Sequence, residues 1–364
     1  MKVILVAGAR PNFMKIAPII EAINNKKKDG KNIEFKLVHT GQHYDNRMSG
    51  SFFDNLGIPK PDINLEAGGG TQSEQTANIM IRFEKYLSEN LVDLVLVVGD
   101  VTSTMACAIV AQKLHVKVGH IEAGIRSNDW DMPEEINRLV TDSITNYFFT
   151  TSTHANQNLL NSGVSNDRIF FVGNTMIDTL KKNQKKFKKP NLWDQNSLRS
   201  GDFFVLTLHR PANVDDKDKL KSLLEAISIS ARNLKVVFPT HPRTSKILAS
   251  LDFRADNLIQ TDPLDYFEFN YLVSNAKAVI TDSGGITEET TVLGVPCITL
   301  RNNTERPETC EIGTNELIGT NPEAIPKTFN KLFSGNWKKG AIPDKWDGNA
   351  ANRVVEHLLD IWKL

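Results

Sequence analysis

"LVDLVLVVGD", residues 91–100, carries five consecutive apolar side chains before a glycine and an aspartate. A strand that is apolar at every position, rather than at every second one, is buried on both faces, as strands of a parallel sheet are. "STMACAIVAQKLH" (103–115) follows at once with apolar residues at helical spacing. The two form a βα unit, and the unit recurs. "VILVAG", "EFKLVHTG", "VKVGHIEAG", "NYFFTTS" and "RIFFVGN" read as further buried strands over roughly residues 1–172. "FMKIAPIIEAINN" and "QTANIMIRFEKYLSEN" read as helices between them.

"KKNQKKFKKPNLWDQNSLRSG" (181–201) interrupts this pattern; basic, polar and broken by Pro190, it reads as a linker or exposed connection. The alternation resumes in "FFVLTLH", "LKVVFPTH", "NLIQTDP", "AKAVITDSGG" and "VPCITL". The expected fold is α/β, with two Rossmann-like, doubly wound parallel-sheet domains across a cleft and ligands beyond the carboxyl ends of the strands. "NAANRVVEHLLDIWKL" at the end suits either domain.

A chain of 364 residues accommodates two such domains. Its 43 basic and 43 acidic residues cancel, so no global field favours nucleic acid or an anionic membrane. A local anion site needs only one or two cations. No stretch reaches the roughly 18 apolar residues of a membrane span. "MKVILVAGARP" reads as a first strand rather than a signal peptide. Cys107, Cys297 and Cys310 lack metal-ligand spacing and read as thiols of a reduced compartment, which points to the cytoplasm. Histidines and carboxylates are too scattered for a zinc motif, so no metal is expected.

Polar residues cluster just after the expected strands. "GARP" offers Arg10 as a fork for phosphate or carboxylate, or only an exposed turn. It is neither a dinucleotide fingerprint nor a phosphate loop. Asp100 either caps the next helix or works at a strand end. "GHIEAGIRSNDWDMPEEINR" (119–138) gathers His120, Glu122, Arg126, Glu134, Glu135 and Arg138. Acids at a helix start explain Glu134 or Glu135, but not a carboxylate at the strand end, Glu122. His209 with Arg210, and more weakly His241 with Arg243, follow two strands of the second half.

"TDSGGITEET" (281–290) ends a strand in bare amides suited to phosphate oxygens. A carboxylate beside them, Glu288 or Glu289, suits ribose hydroxyls instead, so the pair points to a nucleoside diphosphate. Arg306 in "NNTERPE" is a second cation. The plain alternative is a helix cap built on Ser283 or Thr287.

"GARP", "TGQHYD", "GDVTST", "HIEAGIRS", "MPEEINR", "GNTMID", "TLHRPANVD", "TDSGGITEE" and "TERPE", in this order over nearly the whole chain, resemble the non-hydrolysing UDP-N-acetylglucosamine 2-epimerase family. The resemblance implies a GT-B-like arrangement: residues 1–175 as the N-terminal domain, 176–349 as the UDP-binding domain, and helix 350–364 packing back on the first. Asp100, Glu122, Glu134 and His209 match the family's catalytic set. Arg10, Lys15, Phe269, Ser283, Gly284, Gly285, Glu289 and Arg306 match its UDP contacts, with Phe269 near the uracil and Glu288 left as a helix-start residue. Gln42 and His241 are candidates for a second, regulatory site, although "TGQHYDNRMS" and Ala212 depart from relatives. The implied reaction needs no cofactor: UDP leaves C1 as a base takes the C2 proton, and re-adds as the other face is protonated. Which carboxylate is base and which acid stays open; Asp100 and Glu134 are favoured. The implied partner is a UDP-sugar, and relatives are commonly homodimers. Alternatives are an epimerase of a related sugar such as UDP-2,3-diacetamido-glucuronate, a UDP-dependent glycosyltransferase, a hydrolysing relative and a nucleotide-sugar sensor.

Overall fold

The apolar run becomes a strand with all five side chains, Leu94–Val98, buried. The computed structural model describes residues 1–42, 53, 56–240 and 242–364. They divide into two units, Met1–Lys182 with Asp344–Leu364, and Asn183–Pro343.

The first unit is built on β1 (Lys2–Ala7), β2 (Glu34–His39), β3 (Ile63–Asn64), β4 (Leu94–Val98), β5 (Lys117–Ala123), β6 (Tyr147–Thr150) and β7 (Ile169–Phe171). Among the described residues they form one parallel sheet in the order β3-β2-β1-β4-β5-β6-β7. Crossover connections run outward in opposite directions from β1 and β4, and such a reversal opens a crevice at the strands' carboxyl ends. Asn12 ties the two strands there. Its Oδ1 accepts from the Gly8 and Ala9 amides at 3.1 and 3.0 Å, and its Nδ2 donates to the Val98 carbonyl at 3.0 Å. One face of the sheet packs Ile4, Val6, Val38, Val95 and Val97 against Phe83, Ala106 and Val110.

The second unit repeats the plan with β8 (Phe203–Thr207), β9 (Lys235–Pro239), β10 (Leu258–Thr261), β11 (Ala278–Thr281), β12 (Cys297–Thr299) and β13 (Asn315–Leu317). Their order is β10-β9-β8-β11-β12-β13, so the reversal lies between β8 and β11. Apolar layers cover both faces: Phe204, Leu206 and Ile280 on one side, Val205, Val237 and Val279 on the other. The fold class read from the apolar runs, two parallel α/β units of GT-B-like type, is the one observed.

The basic stretch after residue 181 is not merely a connection. Leu192 and Leu198 are buried, and Trp193 sets its ring edge-on to Phe203 and Tyr271, both at 5.4 Å. Three apolar side chains anchor this stretch in the second unit's core, and the surrounding lysines and asparagines masked them.

The last helix, Ala350–Trp362, buries Val354, Val355, Leu358 and Leu359 within the first unit and packs on the helix Arg10–Lys28. Its first amides would be orphaned in the interior. Asp178 accepts both, from Ala350 at 3.1 Å and Ala351 at 2.7 Å. Burial raises this carboxyl to about 6 in spite of those bonds. No helix among the described residues is long and apolar enough to cross a membrane.

Asp178→Ala leaves two buried amides without an acceptor and is expected to cost about 1–2 kcal/mol in urea unfolding. Asp178→Asn keeps an acceptor without charge. Because the folded carboxyl titrates near 6, above its unfolded value, ionisation is disfavoured by folding. The wild-type chain should therefore lose stability relative to Asp178→Asn as pH rises from about 4 to 6, and a flat difference would refute the assignment.

Candidate active site

The polar residues of the first unit converge on the β1–β4 reversal. Arg10 begins the helix that follows β1, and one turn and a half later Lys15 is buried with its ammonium 2.5 Å from the Glu122 carboxylate. Glu122 is itself buried and holds φ at +73°, where β5 shifts register between Ile121 and Ala123. A left-handed backbone at a residue with a side chain is strained and persists only when its surroundings impose it. Hydrogen bonds of His120 and Asp142 hold the chain on either side of it here. The His120 Nδ1 lies 2.7 Å from Asp142 Oδ1 and its Nε2 2.8 Å from the Gly99 carbonyl. The other Asp142 oxygen accepts from Arg126 Nη1 at 2.6 Å and the Gly124 amide at 3.1 Å. Burial pushes the Asp142 carboxyl up, but His120 and Arg126 outweigh it and hold the group below the usual carboxylate range.

"PEEINR" resolves into two faces. Glu135, Asn137 and Arg138 turn inward while Glu134 stays exposed. Arg138, 1% exposed, reaches Glu135 Oε2 at 2.6 Å and Asp100 Oδ2 at 2.5 Å. Asn137 donates to the Asp100 carbonyl at 2.8 Å. Glu135 also accepts from the Ser127 and Asn128 amides at 2.9 and 3.1 Å. Burial works against its charge, yet these donors keep its pKa below the normal value. Asp100, with a quarter of its side chain exposed, is held by its partner and does not cap the next helix, whose N-cap is Val101. Gln42 braces the same region: its Oε1 accepts from the Ser103 hydroxyl at 2.7 Å and amide at 3.1 Å.

In the second unit, the β8–β11 reversal brings His209 to Asp282. Asp282 has no exposed surface and accepts from His209 Nδ1 at 2.8 Å, the Arg210 amide at 3.0 Å and Asn213 Nδ2 at 3.1 Å. Burial raises its pKa, but the His209 bond and the other donors prevail and lower it. An ionised carboxylate only accepts, so Nδ1 carries a hydrogen and Nε2 points outward on a side chain 56% exposed.

Ser283 is the N-cap of the helix Gly284–Leu293, yet its hydroxyl makes no capping bond. A Cβ on Gly285 would meet nothing within 4 Å, and its backbone is not left-handed. Neither packing nor conformation demands glycine there; what the residue leaves is bare backbone. Glu289 accepts from the Tyr266 hydroxyl at 2.9 Å. Phe269 lies half-buried on the same helix as Tyr266, Tyr266–Asn275.

Glu288 differs from expectation. It is not at the helix start but one turn inside, buried, and ion-paired with the buried Arg306. The helix begins at Gly284, so residue 288 faces the loop bearing Arg306. His241 lies outside the described residues. Arg138, Asp142, Asp282 and Tyr266 each carry a role that sequence reading did not assign. Among the described residues, no three His, Cys, Asp or Glu side chains gather as a metal site requires. The thiols of Cys107 and Cys297 are buried, and burial pushes Cys297 to about 12.

Arg138→Met should cost roughly 3–5 kcal/mol in denaturant unfolding, because it leaves the buried Glu135 without its counter-ion; a loss under about 1 kcal/mol would refute the clamp. In Asp282→Asn the amide NH2 can face the His209 ring, which should move its hydrogen from Nδ1 to Nε2. Nitrogen-15 NMR of the ring reads the tautomer directly, and an unchanged tautomer would show that Asp282 does not set it.

A family model described as UDP-N-acetylglucosamine 2-epimerase matches residues 25–359. The chain is 41% identical over 370 residues to the UDP-N-acetylglucosamine 2-epimerase of Methanocaldococcus jannaschii, covering 98% of this chain and 99% of that one. It is 38% identical to the UDP-2,3-diacetamido-2,3-dideoxy-D-glucuronate 2-epimerase of Pseudomonas aeruginosa, covering 98% and 99%. The crystal structure of the M. jannaschii enzyme in complex with UDP-GlcNAc and UDP superposes with a TM-score of 0.87 at 40% identity, covering 99% and 100%.

Proposed function

The chain belongs to the UDP-N-acetylglucosamine 2-epimerase family, and we propose that it interconverts UDP-GlcNAc and UDP-ManNAc by expelling and recapturing UDP. A base removes the C2 proton while the C1–oxygen bond breaks, which leaves a 2-acetamidoglucal and UDP. The UDP oxygen then returns to C1 as an acid protonates C2 on the opposite face.

The observation that carries this reading is a shared arrangement: Asp100, Glu134 and His209 keep exposed atoms while buried partners brace Asp100 and His209 from behind. Proton transfer at carbon needs groups fixed in place yet open to substrate. Asp100 and Glu134 are assigned to the C2 proton transfers. Glu122, buried against Lys15, supports them, and that pair makes Lys15 a counter-ion as well as a UDP contact. His209 Nε2 is assigned to the departing diphosphate. Arg10, Arg306 and the Ser283, Gly284 and Gly285 amides hold the phosphates, Glu289 the ribose and Phe269 the uracil. The bare face at Gly285 suits close approach of a phosphate.

A second reading changes only the sugar: the P. aeruginosa relative is named for a UDP-2,3-diacetamido-glucuronate. Gln42 as a regulatory contact, a homodimer and a cytoplasmic location complete the proposal and rest on the resemblance.

Incubation with UDP-GlcNAc in deuterated water should give UDP-ManNAc carrying deuterium at C2, followed by NMR; absence of exchange sinks the proposal. Free ManNAc with UDP would indicate a hydrolase. Asp100→Asn and Glu134→Gln should bind UDP within about two-fold of wild type and lose C2 exchange by at least about a hundred-fold. Near-normal exchange in either variant removes that residue from the chemistry.

A further inference from the structure

The start of the helix Gly284–Leu293 is less cationic than its arginines imply. Arg306 is matched by Glu288. Arg301, 4% exposed, is matched by Glu305, whose Oε2 lies 2.6 Å from Arg301 Nη2. The other Glu305 oxygen turns toward the helix start. It would lie 2.5 Å from a Cβ on Gly284 and stands 4.0 Å from Arg210 Nη2. A mostly buried carboxylate is therefore lodged beside the amides assigned to the phosphates. Burial opposes its ionisation, but Arg301, Arg306 and Arg210 hold its pKa at about 2, so it is charged at every working pH.

Resting on the UDP-binding reading above, we propose that Glu305 is an affinity-setting residue, a fixed negative charge at the diphosphate position that keeps UDP from being held too tightly. A phosphate on the Gly284 amide shares its surroundings with this carboxylate, and like charges at such range repel where water is largely excluded. The same carboxylate neutralises Arg210 and Arg301, which would otherwise add attraction. In a reaction that expels UDP and takes it back, excess stability of bound UDP would slow the return. Glu305 opposes that excess. A residue that only clamped Arg301 in place would have the opposite effect on binding when removed.

Glu305→Gln keeps the shape and removes the charge. Titration calorimetry should show UDP binding about ten-fold tighter than to wild type, inorganic pyrophosphate likewise tighter, and uridine unchanged. Equal or weaker UDP binding, or an equal gain for uridine, overturns the proposal. Failure of the wild-type chain to bind UDP at all overturns the UDP-binding reading and this inference with it, whereas tight wild-type binding unaltered in the variant overturns the inference alone. Glu305→Asp, which withdraws the charge from Gly284 while retaining it near Arg301, covers the case in which the glutamine variant does not fold. It should tighten UDP about two- to three-fold, and no tightening counts against the proposal.

Discussion

A guanidinium with 1% of its surface exposed must be met by carboxylates, and Arg138 is met by two. That requirement organises the first unit's polar end. Arg138 fixes Glu135, which in turn gathers the Ser127 and Asn128 amides and so shapes the loop after β5. On its other side it fixes Asp100 at the end of β4. A buried ion pair of this kind adds little net stability over an apolar replacement, while loss of one partner is severe. Its value lies in placement. Asp100 and the first turn of the helix Pro133–Ile144, where Glu134 is exposed, are held in one arrangement through a single cation.

The second unit uses the same logic with the sign reversed. Asp282 is a buried anion, and the donors around it come from the turn after β8: the His209 ring, the Arg210 amide and Asn213. One carboxylate thus sets the end of β8 against the end of β11. Each unit therefore joins the two strands at its topological reversal through side chains as well as through the sheet, Asn12 serving the first and Asp282 the second.

Buried charge also explains where strain is tolerated. Glu122 occupies a left-handed conformation that its side chain disfavours. The hydrogen bonds of His120 and Asp142 grip the residues on both sides of it, and Lys15 grips its carboxylate. Neighbours thus hold both the flanking backbone and the charge of this residue.

The strand runs, their parallel character and the polar residues at their carboxyl ends were legible in the chain itself, because burial on both faces writes an unbroken apolar run into it. So were Asp100, Glu122, His209 and the Ser-Gly-Gly turn as members of a polar set. Local signals could not tell which acids face inward. Glu134 and Glu135 are adjacent and alike in sequence, and only the tertiary placement of Arg138 and the Ser127 and Asn128 amides separates an exposed carboxylate from a buried one. Glu288 looked like a helix-start acid until the loop bearing Arg306 was placed against it. Leu192, Trp193 and Leu198 were hidden in a basic stretch until the second unit's core received them. Hydrophobic periodicity is a local property, so sequence determined the sheets; charge pairing joins residues distant in the chain, so only the tertiary structure decided the partners.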